Sequence, residues 1–170
     1  QMEPQYQAHK NTMRQCIAGL TEHAAQLAAQ GQKEPLPRLR QLCIEMAKFW
    51  VLTEDDTAKG FQEMEAQYGS VFDQAVSAAR DSSHAPELSE QTRQNILDGL
   101  ALHAQEMRDN DEALEQWAAE CDILAENLEK QWYPALPGME MSKYDFWNLI
   151  AGAKEACVQD MDASFQWLYE

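Results

Sequence analysis

Only nine of the 170 residues are Val or Ile, and that scarcity constrains the fold more than any other property of the chain. Strands are built largely from β-branched and aromatic residues, whereas the Ala, Leu and Met that dominate the apolar set here lose little side-chain freedom in a helix. Seven glycines and six prolines leave little punctuation for a sheet of short strands. The expectation is an all-α protein, a single-domain bundle of five or six mostly antiparallel helices. A chain of this length buries about two-thirds of its unfolded surface, enough for a core that needs no disulfide or metal.

Apolar residues recur at spacings of three and four along successive segments. Met13, Cys16, Ile17, Leu20, Ala24 and Leu27 predict a helix over 4–30, ended by Gly31. Leu39, Leu42, Cys43, Met46, Phe49 and Trp50 predict the next over 36–51, opened by Pro35 and Pro37. A third is expected over 53–80, with Thr53 as its cap ahead of Glu54, Asp55 and Asp56.

From 88 to 132 the apolar stripe keeps phase, stepping seven residues from Met107 to Leu114. Phase argues for one helix of roughly 65 Å, whereas Asp109, Asn110 and Asp111 are turn formers. Composition is given the greater weight, so helices are expected over 88–109 and 111–132. After a loop holding Pro134, Pro137 and Gly138, a last helix over 142–168 starts at Ser142, with Asp145 three residues on.

Cys16, Cys43, Cys121 and Cys157 each fall in phase with an apolar stripe and form no Cys-x-x-Cys pair. They read as reduced core thiols, which suits a cytoplasmic protein. No apolar run is long enough for a membrane span, and the first ten residues lack the apolar core of a secretory leader.

Charge is distributed unevenly. Residues 1–52 hold six Lys or Arg against four Asp or Glu, while residues 53–170 hold seven against twenty-five, for a net of -16. Such a surface repels nucleic acid and anionic membrane and attracts basic partners. Counting 100° per residue, Asp111, Glu115, Asp122, Glu126 and Glu129 fall within about 60° of one another, off the stripe of Leu114, Cys121 and Leu128. Only Lys130 is expected close enough to neutralise that face. Arg38, Arg40 and Lys48 form a basic cluster able to answer part of the acidity from within.

Few constellations carry chemistry. Glu87-Leu-Ser-Glu90 and Glu106-Met-Arg-Asp109 resemble the paired Glu-x-x-Glu and Glu-x-x-Asp motifs of the all-α nucleotide pyrophosphohydrolases. The resemblance implies a Mg²⁺ shared by Glu87, Glu90, Glu106 and Asp109. It departs from that family in placing no turn between Leu88 and Met107, where the family has two facing helices. His103 stands one turn before Glu106 and reads as its hydrogen-bond partner. His-Glu-x-x-His, Glu-x-x-His, P-loop and Gly-x-Ser-x-Gly patterns do not occur. Trp50, Trp117 and Trp132 read as core, while Trp147 and Trp167 suit a second buried surface such as one between subunits of a homo-oligomer.

The reading that follows is a non-enzymatic acidic helical protein, without cofactor or catalytic residues, that binds and inhibits a basic protein partner in the manner of an immunity protein. Asp109, Asp111, Glu112, Glu115, Asp122, Glu126 and Glu129 form its expected docking face. The alternatives are a Mg²⁺-dependent pyrophosphohydrolase and a structural or adaptor bundle.

Overall fold

The computed structural model describes residues 4–50, 58–82, 85–146, 148–150 and 152–153, and among them the protein is all-α. Five helices follow one another: α1 (Pro4–Ala29), α2 (Leu36–Trp50), α3 (Ala58–Ser82), α4 (Glu90–Asn110) and α5 (Glu115–Trp132). Thr53, expected to cap α3, lies outside the described residues. So does most of the helix expected over 142–168, of which 143–146, 148–150 and 152–153 are helical. By its packing the chain divides into two compact units, Gln1–Ala125 and Glu126–Glu170.

Local chemistry sets the helix ends. Gly31 has φ 80°, and the bonds Gly31 N–H to Ala28 O (3.0 Å) and Gln32 N–H to Leu27 O (2.9 Å) close α1 in a Schellman motif. Ser89 caps α4, its hydroxyl accepting from Thr92 N–H at 3.1 Å. The chain does break between α4 and α5, as the turn formers argued. Asp111 is extended (φ -160°, ψ 128°), and its carboxylate accepts from Ala113 N–H at 2.9 Å to start a 3₁₀ turn over Glu112–Leu114. The helical alignment counted from Asp111 therefore holds only from Glu115 onward, because Asp111 and Glu112 lie outside α5.

In the first unit α1 is central and packs against α2, α3 and α4. Its stripe of Met13, Cys16, Ile17, Leu20, Ala24 and Leu27 is buried, together with Leu39, Cys43 and Met46 of α2, Phe72 and Val76 of α3, and Ile96, Leu97 and Leu100 of α4. Gly99 of α4 permits the closest approach: a Cβ there would overlap the Cys16 side chain. Cys16, Cys43 and Cys121 are free and buried, as their phase in the stripes argued, while Cys157 lies outside the described residues. Burial pushes the Cys43 thiol up to about 12 and that of Cys121 to about 11, so both stay protonated and act as small apolar groups.

Two aromatic expectations are corrected. His103 pairs not with Glu106 but with Trp50 of α2, whose Nε1–H donates to His103 Nδ1 at 2.9 Å; both are buried, and the exposed Phe49 packs edge-on against them. Trp117 is not core. It is 38 % exposed at the edge of the α5 stripe, and the Arg38 guanidinium lies 5.0 Å above its ring. Trp50 is buried, Trp132 is half-buried, and the side chains of Trp147 and Trp167 are outside the described residues.

In the second unit the end of α5 buries Leu128 and leads into Tyr133, which is also buried and stacks on Tyr144 at 5.4 Å. Gly138, at φ 77°, turns the chain so that Ala135 and Ser142 form an antiparallel bridge. Ser142 then caps the following helical segment as its sequence position argued, its hydroxyl accepting from Asp145 N–H at 3.1 Å.

Candidate functional site

The seven acids expected to form one docking face separate into three settings. Asp109, Asp111 and Glu112 are exposed at the corner between α4 and α5. Asp109 accepts from the Gln105 amide at 3.0 Å, Asp111 is occupied as a cap, and Glu112 makes no ion pair among the described residues.

Glu115 and Asp122 form the second setting, and both are paired with one residue that the α5 wheel does not contain. Arg108, near the end of α4, donates from Nε to Glu115 at 2.9 Å and places Nη1 2.7 Å from Asp122. Hydrogen bonds to these two carboxylates push its pKa up. The expectation that only Lys130 answers this face is thus overturned. Three further acids of the first unit are paired across helices: Arg38 pairs with Glu120, Arg40 with Asp73 through two hydrogen bonds, and Lys48 with Glu65. Exposed pairs of this kind contribute little stability individually, but they remove charge that a partner would otherwise meet.

Glu126 and Glu129 form the third setting, and here the surface is concave. They line a half-open cleft of about 550 Å³ in the second unit, with Glu140 and Asp145 contributing two further carboxylates. Tyr133, Pro134 and Ala135 supply its apolar wall, and Ser142 sits between the acids. Lys130 is the cation of the lining, and its ammonium is held by Glu126 at 2.9 Å, one turn back on α5. Glu129 accepts from the Ser142 hydroxyl at 2.5 Å.

The Glu129 carboxyl is held above the usual carboxylate range. Desolvation is the largest cause; the Ser142 hydrogen bond opposes it, and the charges of Asp145 and Glu126 reinforce it. A carboxylate crowded by others in a partly dry cleft is relieved by a cation, which adds the missing opposite charge. The cleft is thus arranged chemically to take a guanidinium or ammonium group, with the exposed face of Pro134 alongside its methylene stem.

Sequence reasoning missed Arg108, Glu140 and Asp145 as parts of the electrostatic arrangement. Asp145 was visible only as a helix-start residue; its approach to Glu129 depends on the reversal at Gly138.

The resemblance to the pyrophosphohydrolase motifs does not survive as a metal site. Glu90 and Glu106 stand at the two ends of the single helix α4, about 24 Å apart at 1.5 Å per residue, too far for Glu87, Glu90, Glu106 and Asp109 to share one ion. Among the described residues no group of three or more His, Cys, Asp or Glu side chains is placed to hold a metal. Nor is any helix there long and apolar enough to cross a membrane. Comparison with known protein families, with curated proteins and with solved structures returned no match.

Proposed function

We propose that this is a non-enzymatic acidic protein that binds a basic protein partner by admitting an arginine or lysine side chain into the cleft of Glu126, Glu129, Glu140 and Asp145. One observation carries the reading: these acids share a concave site whose cation, Lys130, is already engaged by Glu126, and desolvation, reinforced by the charges of Asp145 and Glu126, raises Glu129. The exposed corner at Asp109, Asp111 and Glu112 adds a long-range attraction that steers the partner without fixing its pose. Occupying a partner's exposed basic residue in this way masks the surface around it, which is how an inhibitor or immunity protein acts.

The test uses an arginine-rich peptide as the probe and the full chain as receptor. Association should slow sharply as ionic strength rises, because exposed charges lose their reach once the screening length falls to about 8 Å near physiological salt. An on-rate independent of salt contradicts the proposal.

A further inference from the structure

Arg14 stands apart from the other arginines of the basic N-terminal third. Arg38 and Arg40 each hold an acidic partner, Glu120 and Asp73, whereas exposed Arg14 makes neither ion pair nor hydrogen bond among the described residues. Arg80 of α3 is likewise without a carboxylate among the described residues, so it is the groove beside it that singles out Arg14.

Its position adds a second fact. Arg14 lies at the edge of a half-open groove of about 290 Å³ along the seam where α1 packs against α3. Ile17, Ala18 and Thr21 follow Arg14 at helical spacings of three, four and seven, so one face of α1 supplies the floor. Tyr68 and Val71 of α3 form the facing wall, with Val71 54 % exposed. Thr21 directs its hydroxyl to Ile17 O at 2.9 Å, which turns its proton away from the groove. Gln67 of α3 adds one amide, so the lining is largely apolar with one polar and one charged side chain. Its volume sits just below the roughly 300–1,000 Å³ usual for small-molecule sites.

We infer that this groove binds a small amphiphilic carboxylate, with the carboxylate on the Arg14 guanidinium and the apolar body along Ile17, Ala18, Tyr68 and Val71. Charge complementarity selects the head group, because a fork of N–H donors matches a carboxylate in two parallel hydrogen bonds. The shallow apolar seam selects a medium alkyl chain or a single ring. The site lies wholly within the first unit and is independent of the acidic cleft.

The test is titration of the full chain with decanoate, followed by displacement of an anionic naphthalene-sulfonate dye, with decanol as the neutral-headed control. Decanoate should displace the dye and decanol should do so far less well. Arg14→Gln, which keeps an amide donor but loses the charge and the second parallel bond, should weaken decanoate by at least about tenfold while leaving decanol unchanged. Val71→Asp should weaken both. Arg14 and Val71 are exposed, so circular dichroism is expected to match wild type in both variants and confines the effect to binding. Equal decanoate affinity in wild type and Arg14→Gln overturns the assignment. So does a groove closed by a second copy of the chain, seen as concentration-dependent dimerisation abolished by Val71→Asp with no decanoate bound.

Discussion

The two acidic surfaces of this protein differ in how their charge is answered. In the first unit Glu115 and Asp122 share Arg108, and Glu120, Asp73 and Glu65 each hold a cation from α2. In the second, four carboxylates share a cleft whose Lys130 is engaged by Glu126, and Glu129 is left in an environment that disfavours its ionised form. Acidity by count is similar in kind; acidity available to a partner is not. The lesson is that net charge places a protein in a class of partners, while the pairing of each carboxylate decides where such a partner is held.

The largest effect that would sharpen this contrast is on binding. Glu129→Gln combined with Asp145→Asn should weaken an arginine-rich peptide by about tenfold, since Asp145 is exposed and Glu129 half-buried, and charge contacts of that exposure contribute up to about 1 kcal/mol each. Glu115→Gln with Asp122→Asn removes the same formal charge from the first unit and should change affinity less than about threefold, within the range of exposed pairs. Equal losses in calorimetric titrations of the two variants would break the comparison.

The two units should also respond to acid with opposite signs. Burial lowers His23 and His103 to about 4, so the folded first unit resists their protonation. Their stabilising contribution is complete above the ordinary histidine value of 6.5 and is lost as pH falls toward 4. The slope is about 1.4 kcal/mol per pH unit for each histidine, seen as a falling urea midpoint. Glu129, held above its ordinary 4.5, behaves oppositely: its ionised form costs stability, and that cost grows as pH rises through the raised value. Glu129→Gln should therefore leave the thermal midpoint at neutral pH unchanged or slightly higher. A clear drop would mean that Glu129 is structural.

The smallest effect concerns Arg108. Replacing it with Gln frees Glu115 and Asp122 and should speed association of the basic peptide modestly at low salt, with less change in the dissociation rate. An association rate that falls instead would show that Arg108 itself contacts the peptide.

Much of the fold was legible because local chemistry decides it. Gly31 ends α1, Asp111 breaks the long apolar stripe despite its unbroken phase, and Ser142 restarts the helix after the Gly138 turn. The site was less legible for a physical reason. A helical wheel sees one helix at a time, so it counted the acids of α5 correctly but could not see Arg108, which reaches them across the break at Asp111. It placed Trp117 on the stripe, yet Arg38 of α2 decides that this ring lies at the edge. The His103–Trp50 bond joins residues 53 apart in sequence, beyond any periodicity. The helical spacing groups Glu126 with Glu129, but their cleft depends on the loop that brings Ser142 back to Ala135, and no spacing in the sequence encodes that return.

The central claim is that the cleft around Glu129 is poised for a cation, and titration of the Glu129 carboxyl followed by carbon-detected NMR tests it most directly. In the free protein its pKa should lie above the ordinary carboxylate value, and saturating arginine-rich peptide should lower it, because proton and cation compete for the same charge. A Glu129 pKa that does not move when the peptide binds would contradict the account.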